Sequence, residues 1–197
     1  MMRPKVIGLT GGIGSGKTTI AKYFEAKGVP LYIADEESKK ILDSADAIAE
    51  IEEAFGQEVF SDGKIDRKKL ANLVFNDAEK LAILNGVLHP KVQHHFEDWA
   101  KKQSTKFVIK EAAILFESGS YKDCDKVILI TAPLDIRIRR VMDRDDVTRE
   151  QVLERIANQW TDDKKIPLSD FIIENTELEN AKIAADKVVA MLNEEYN

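Results

Sequence analysis

The stretch from Gly11 to Thr18 reads Gly-Gly-Ile-Gly-Ser-Gly-Lys-Thr and constrains the fold more than any other segment. It follows the apolar run of residues 6–9 and precedes the amphipathic run of residues 19–24, the context of strand, glycine-rich turn and helix. Glycines let the backbone direct successive N–H groups at a phosphate, and the start of the helix adds positive potential. The dinucleotide fingerprint Gly-x-Gly-x-x-Gly would place its last glycine at Lys17, so it does not fit. The segment, called the phosphate loop below, predicts a nucleoside triphosphate site.

Each part of the phosphate loop has a role that its chemistry predicts. The Lys17 ammonium would neutralise the terminal phosphates, and the Thr18 hydroxyl is placed to hold Mg²⁺. The residues that we predict to bind the triphosphate here are Gly12, Ile13, Gly14, Ser15, Gly16, Lys17, Thr18 and Thr19.

Five short apolar segments predict the strands of a parallel sheet. They are rich in β-branched or aromatic residues and span residues 6–9, 31–34, 107–111, 126–131 and 171–175. Helical patterns separate them, and continuous apolar strands with helices between them are typical of a sheet that is covered on both faces. The sequence therefore predicts an α/β fold of the phosphate-loop type, with a five-stranded parallel sheet and helices on both faces.

Two insertions interrupt this pattern. Residues 36–106 are far longer than one crossover needs and contain several helical patterns, and residues 134–169 follow the fourth strand. Within the first insertion, Asp66 and Asp77 are candidate N-caps, and Pro90 is expected to open the last helix. We predict one domain made of a core (residues 1–35, 107–133 and 170–197), a helical lobe for an acceptor substrate (residues 36–106) and a helical lid (residues 134–169). A purely structural insertion is the alternative interpretation of the lobe.

Arginines are concentrated in the predicted lid. Pro133 is expected to start its first helix, and Thr148 to cap its second. Arg137, Arg140 and Arg144 fall at i, i+3 and i+7, on one face of the first helix. Guanidinium groups bind phosphate oxygens in a bidentate manner, so the group favours a lid that closes over the transferred phosphate. For any single arginine, a solvated surface position is the simpler interpretation.

The chain has the features of a small-molecule kinase rather than those of a GTPase. It contains neither Asn-Lys-x-Asp, which reads guanine, nor Asp-x-x-Gly, which senses the third phosphate. The third strand ends in Glu111, an acceptable ligand for a water on Mg²⁺. Asp35 follows the second strand at the carboxyl edge of the sheet, where we expect it beside the phosphate loop. Its carboxylate would accept the proton of an attacking hydroxyl there, and a helix cap explains Asp35 equally well.

Composition narrows the class of protein further. A net charge of −6 gives no basic excess for a nucleic-acid partner. The single cysteine, Cys124, cannot form an intrachain disulfide and is typical of a reducing compartment. No segment approaches the roughly 20 apolar residues of a membrane span, and the N-terminus has no signal-peptide core. We therefore expect a cytoplasmic protein without a nucleic-acid, membrane or obligatory protein partner.

An ordered set of motifs extends over nearly the whole chain. It consists of residues 9–18, Ala34-Asp35, Leu88-His89-Pro90, Ile114-Leu115-Phe116-Glu117, Arg140, residues 144–150, Arg155, Gln159 and residues 169–175. In this order the motifs resemble those of the dephospho-CoA kinase family from end to end. The phosphate loop alone is shared by many families, whereas the ordered set is specific. The resemblance implies phosphorylation of the ribose 3′-hydroxyl of dephospho-CoA by ATP, with Mg²⁺ as cofactor and CoA and ADP as products, in the last step of CoA synthesis.

The resemblance also implies roles for individual residues. The catalytic group comprises Asp35 as base together with Lys17, Arg140 and Arg144. The substrate contacts comprise Asp35, His89 and Glu117. Asn175, after the last strand, is expected near the adenine of ATP, and Thr18 is expected to hold Mg²⁺, with Glu111 acting through a water.

The chain departs from the family pattern at three places. Ile33 stands where the family usually has the first carboxylate of Asp-Ala-Asp, so only Asp35 remains of that pair. Residues 113–115 read Ala-Ile-Leu where the family often has Pro-Leu-Leu, which affects a loop close to the acceptor. Thr18 replaces the usual serine and is chemically equivalent toward Mg²⁺.

Two other functions fit parts of the pattern. A nucleoside or nucleoside-monophosphate kinase would share the sheet, the phosphate loop and the lid, and would differ in its acceptor. A non-catalytic, nucleotide-dependent switch would bind a protein partner through the helical lobe. The lid arginines and the missing guanine motif argue against the switch.

Overall fold

The computed structural model describes residues 3–75 and 77–196. Contacts between Cα atoms divide the chain into two compact units, Met1–Ile33 with Lys102–Asn197, and Ala34–Lys101. We call the first the core unit and the second the inserted unit. No helix among the described residues is both long enough and apolar enough to cross a membrane.

The secondary structure alternates as a parallel α/β sheet requires. The strands are β1 (Lys5–Gly11), β2 (Leu31–Ile33), β3 (Phe60–Ser61), β4 (Lys64–Ile65), β5 (Phe107–Glu111), β6 (Lys126–Thr131) and β7 (Phe171–Glu174). The α-helices are α1 (Lys17–Ala26), α2 (Ala34–Leu42), α3 (Ala45–Phe55), α4 (Arg67–Phe75), α5 (Ala78–Lys101), α6 (Leu134–Asp145), α7 (Arg149–Ala157), α8 (Asp162–Lys165) and α9 (Leu178–Glu195). Short 3₁₀ turns span Gln57–Val59, Ser120–Asp123 and Ile166–Leu168.

Five parallel strands form the sheet of the core unit in the order β2-β5-β1-β6-β7. In the register of β1, Leu9 lies beside Glu111 of β5 on one side and beside Ile128 of β6 on the other. The predicted α/β class and the five-stranded parallel sheet are confirmed.

The position of the second strand corrects one expectation. We expected the end of this strand beside the phosphate loop, but β5 lies between β2 and β1. The crossover through α1 skips one position of the sheet, which β5 fills after the inserted unit. Glu111, the last residue of β5, pairs with Leu9 and with Ile33 and so occupies the place between them. The phosphate loop follows β1. The chain places β2 and β5 on one side of this strand and then β6 and β7 on the other. Ligands of such folds usually bind at the strand where the strand order switches sides.

One face of the sheet packs against α1 and α9. Alternate residues of β1, such as Ile7 and Leu9, point to this face because side chains alternate along a strand. They share a continuous apolar cluster with Phe24 of α1 and with Ala185 and Leu192 of α9. This cluster fixes α1, and therefore the phosphate loop that precedes it, against the sheet.

The inserted unit contains α2 to α5 and has its own apolar cluster, which includes Ile51, Phe55, Leu70 and Leu88. It also contains an antiparallel hairpin of β3 and β4 that we did not predict. Asp62 and Gly63 form its turn with φ of 51° and 74°, and Asp-Gly is the residue pair that such turns favour.

Helix boundaries confirm most capping predictions. The Asp66 carboxylate accepts from the backbone N–H groups of Lys68 and Lys69 at 3.0 and 3.1 Å. Asp77 does the same at the start of α5, and Thr148 caps α7 with a capping box.

The expectation for Pro90 is wrong, because this residue lies inside α5 and does not open a helix. Leu88 before it and Phe96 after it are both buried. Packing on both sides of the proline therefore outweighs the helix penalty, which is roughly 3 kcal/mol.

Candidate active site

The phosphate loop has the backbone geometry that its glycines predict. Gly14 and Gly16 adopt φ of 79° and 84°, in the left-handed region that other residues avoid. The Ser15 N–H donates to the Gly12 carbonyl at 3.0 Å and closes the turn. A Cβ at Gly14 would collide with the Arg137 backbone, and one at Gly16 with the Asn175 amide. Both glycines are therefore required by conformation and by close neighbours.

Lys17 opens α1 and forms an ion pair with Glu111. Its Nζ lies 3.3 Å from Oε1 of Glu111, whose side chain is 2% exposed. A carboxylate in so poorly hydrated a position needs a cation, and an ammonium at this distance supplies one. The sequence indicates Glu111 only as an acceptable ligand for a water on Mg²⁺, and the sheet order brings this residue to the phosphate loop.

Asn175 anchors the phosphate loop from the end of β7. Its backbone N–H donates to the Thr131 carbonyl at 2.7 Å, and its side-chain Nδ2 donates to the Ser15 carbonyl at 2.8 Å. The residue is 3% exposed. Among the described residues, its Oδ1 has no hydrogen-bond partner. The structure brings Asn175 to the loop, and its contact with adenine stays a prediction.

The three arginines predicted on one face of α6 have different surroundings. Arg137 is 8% exposed, and its Nε donates to the Ile13 carbonyl of the phosphate loop at 3.0 Å. Arg140 donates from Nη2 to the Thr176 carbonyl at 3.3 Å. Its Nη1 is buried and has no hydrogen-bond partner within the described part of the chain. Arg140 therefore holds donor capacity beside the phosphate loop.

Arg144 is held by its neighbour Asp145. Its Nε and Nη2 donate to the two carboxylate oxygens of Asp145 at 2.7 and 3.0 Å. Arg155 of α7 donates to the same carboxylate at 2.7 Å. The hydrogen bonds from Arg144 are the largest cause that lowers the pKa of Asp145 to about 2. The guanidinium of Arg144 is thus paired in this conformation, and its role toward phosphate stays a prediction.

Gln159 contacts the phosphate loop, and the sequence did not predict this contact. Its Oε1 accepts from the Ile13 N–H at 2.8 Å, and its Nε2 donates to the Ala113 carbonyl at 3.4 Å. The resemblance marked Gln159 without giving it a role. Because 146 residues separate the two partners, no local pattern reveals the contact.

Glu117 lies in a buried polar cluster of the core unit. Its Oε1 accepts from the Trp160 backbone N–H at 2.7 Å and lies 2.9 Å from Nζ of Lys165, whose side chain is fully buried. Its Oε2 is buried and has no hydrogen-bond partner among residues 3–75 and 77–196. These contacts fix the loop after β5, and the predicted contact of Glu117 with substrate is a separate proposal.

Asp35 and His89 belong to the inserted unit. Asp35 is exposed in the first turn of α2, together with Glu36 and Glu37. Three carboxylates in that turn favour the helix electrostatically. Because α2 begins at Ala34, Asp35 lies within the first turn and is not the helix cap of the alternative interpretation. His89 lies on the exposed surface of α5. The roles of both residues toward substrate stay predictions.

A strand, a phosphate loop and a helix at the switch point of a parallel sheet define a nucleotide-binding protein of the phosphate-loop class. A model of the dephospho-CoA kinase family matches residues 5–180 of this chain. The dephospho-CoA kinase of Bacteroides fragilis is 40% identical over 171 residues, which cover 86% of this chain and 83% of that protein.

Two solved structures are similar over nearly the whole chain. TT1252 from Thermus thermophilus has a TM-score of 0.90 at 33% identity, with 96% of this chain and 98% of that chain covered. The dephospho-CoA kinase from Campylobacter jejuni has a TM-score of 0.72 at 29% identity, with 98% of both chains covered. The chain belongs to the dephospho-CoA kinase family.

Proposed function

We propose that this protein transfers the γ-phosphate of ATP to the ribose 3′-hydroxyl of dephospho-CoA and releases CoA and ADP. Family membership over residues 5–180, together with a complete phosphate loop in its strand–helix context, carries the proposal. The single cysteine, Cys124, supports a cytoplasmic location.

On the donor side, the residues of the phosphate loop bind the nucleotide. The backbone N–H groups at the start of α1 and the Lys17 ammonium bind the β- and γ-phosphates. When ATP binds, the Lys17 ammonium leaves its ion pair with Glu111 and binds phosphate oxygens, because the triphosphate carries more negative charge than one carboxylate. Arg140 has a buried donor near Gly16 and would stabilise charge that develops during transfer. Arg144 would join it after leaving Asp145.

Mg²⁺ fits the donor set of this site. The described residues contain no cluster of three or more His, Cys, Asp or Glu side chains that could hold a metal ion. That is the usual arrangement where Mg²⁺ is shared between substrate phosphates and one or two protein oxygens. Thr18 would hold the ion directly and Glu111 would hold one of its waters. Bound Mg²⁺ would neutralise charge on the phosphate oxygens.

On the acceptor side, Asp35 accepts the proton of the attacking 3′-hydroxyl. Its position directly after β2 and its exposed carboxylate support this role. His89 and Glu117 are the further candidate contacts of dephospho-CoA. With little covalent chemistry for the protein to perform, most of the rate gain comes from positioning and charge.

Acceptor specificity tests the proposal. ADP release from MgATP would be measured with dephospho-CoA and, as controls, with adenosine, AMP and CMP. We expect release with dephospho-CoA alone. If ADP were released with AMP or CMP instead, the assignment of the phosphate site would stand, and the acceptor would be a nucleoside monophosphate rather than dephospho-CoA. Tight ATP binding with no release toward any acceptor would favour a nucleotide-dependent switch.

A further inference from the structure

Both backbone polar groups of Ile13, in the middle of the phosphate loop, are bound by side chains that lie far away in the sequence. The N–H donates to Oε1 of Gln159 at 2.8 Å. The carbonyl accepts from Nε of Arg137 at 3.0 Å. A single residue flanked by glycines is therefore held on both sides, through the peptide unit before it and the peptide unit after it.

Gln159 is itself held in a defined orientation. Its Nε2 donates to the Ala113 carbonyl at 3.4 Å, which leaves its oxygen for Ile13. The next residue, Trp160, donates its backbone N–H to Glu117 at 2.7 Å. The segment after α7 is thus attached at two points to the loop after β5, and Gln159 links that loop to the phosphate loop.

Apolar and ionic contacts support the same arrangement. The Ile13 side chain packs against the buried cluster of Ile138, Val141 and Val152 from α6 and α7. Nη1 of Arg137 lies 3.6 Å from a carboxylate oxygen of Asp162 in α8. The elements that carry Gln159 and Arg137 are therefore packed around Ile13.

The phosphate loop needs such support because four of its residues are glycines. Gly14 and Gly16 adopt positive φ in this structure, and glycine backbones otherwise sample many conformations. If a loop becomes ordered only when its ligand binds, the entropy lost in ordering the loop lowers the affinity for that ligand. A loop that is ordered before binding avoids this loss.

We propose that Gln159 is a positioning residue for phosphoryl transfer. It holds the Ile13 N–H so that the N–H groups of the residues that follow Ile13 face the nucleotide before ATP binds. This inference rests on the proposed function, since it assigns Gln159 to the donor site of the same reaction. The assignment concerns donor binding and leaves the acceptor contacts to other residues.

The variant Gln159→Met tests the inference, because methionine has a similar length and cannot replace either hydrogen bond. We expect the Kd for MgADP and the KM for ATP to rise about tenfold, the effect of losing one or two hydrogen bonds. The KM for dephospho-CoA should stay within about twofold. The matched control is Asn158→Ala, a change at the exposed neighbouring residue. If the affinity of Gln159→Met for MgADP stayed within twofold of that of the unmodified protein, the inference would be overturned.

Amide hydrogen exchange in the unmodified, nucleotide-free protein gives a second test that needs no variant. The Ile13 N–H should exchange far more slowly than an unstructured amide, and exchange at the unstructured rate would overturn the inference. If the unmodified protein neither binds MgADP nor phosphorylates dephospho-CoA, the proposed function fails. If it does both and Gln159→Met behaves identically, only the inference about Gln159 fails.

Discussion

Nζ of Lys17 lies 3.3 Å from Oε1 of Glu111, so the lysine of the phosphate loop and a buried carboxylate from the neighbouring strand form one charge pair. The pair exists because β5 lies beside β1 and ends level with Leu9. It orients the lysine before nucleotide arrives. Its carboxylate is the group that we propose to hold a water of the Mg²⁺ of MgATP.

The first prediction concerns this carboxylate. Glu111→Gln should raise the Mg²⁺ concentration needed for half-maximal activity about tenfold and should lower turnover, because the amide neither attracts the ion nor balances Lys17. Initial rates across a Mg²⁺ titration at saturating ATP measure this. Glu174→Gln, an exposed carboxylate at the end of β7, is the control. An unchanged Mg²⁺ dependence would remove Glu111 from the metal site.

The second prediction concerns Asp35, the proposed catalytic base. Asp35→Asn should lower kcat by roughly 10²–10⁴, the usual contribution of general base catalysis. Affinity for MgADP should stay within about twofold, because the phosphate loop is unaltered. Steady-state rates and a binding titration separate the two quantities. Glu36→Gln changes a carboxylate in the same helical turn and should leave kcat unchanged. Normal turnover of Asp35→Asn would show that Asp35 only favours the start of α2.

The third prediction concerns the arginines of α6. Arg140→Ala should slow transfer by roughly 10³-fold, the lower end of what an arginine facing the transferred phosphate contributes. Arg144→Ala should slow it less, because Arg144 must first leave Asp145. Neither change should weaken dephospho-CoA binding by as large a factor. The exposed Arg139→Ala is the control on the same helix. Variants that only weaken acceptor binding would contradict a role over the phosphate.

The fourth prediction concerns the single thiol. Burial is the main cause that raises the pKa of Cys124 to about 11, from an ordinary value of 9.0. The thiolate fraction near pH 8 should therefore be about 10²-fold lower in the folded protein than in urea. Rates of labelling by a thiol-specific reagent in both states measure this difference.

The sign of the effect on stability follows from the same shift. The folded state favours the neutral thiol. The contribution of Cys124 to the stability of the folded protein is therefore fully present below pH 9 and is lost as the pH rises toward 11. Equally fast labelling of the folded and unfolded protein near pH 8 would contradict the burial of Cys124.

Local patterns in the sequence predicted the phosphate loop and the strands because both depend on neighbouring residues. The loop from Gly11 to Thr18 needs a fixed order of residue types, and buried parallel strands are short apolar runs. The Asp62-Gly63 hairpin also had a local signal, which we did not use.

Contacts between distant residues could not be predicted in this way. Gln159 and Ile13 are separated by 146 residues, and Asn175 and Ser15 by 160. Their hydrogen bonds depend on the order of strands and on the packing of α6 to α8. Pro90 shows the same limit, because tertiary packing keeps α5 helical through a residue that normally ends a helix.

The most direct measurement follows both products of one reaction. Purified protein would be incubated with MgATP and dephospho-CoA, and CoA and ADP would be quantified together, beside Lys17→Ala and its surface control Lys22→Ala. We predict equal amounts of CoA and ADP from the unmodified protein and from Lys22→Ala, and no CoA from Lys17→Ala. ADP without CoA, or CoA formed at the normal rate by Lys17→Ala, would contradict phosphoryl transfer at the phosphate loop.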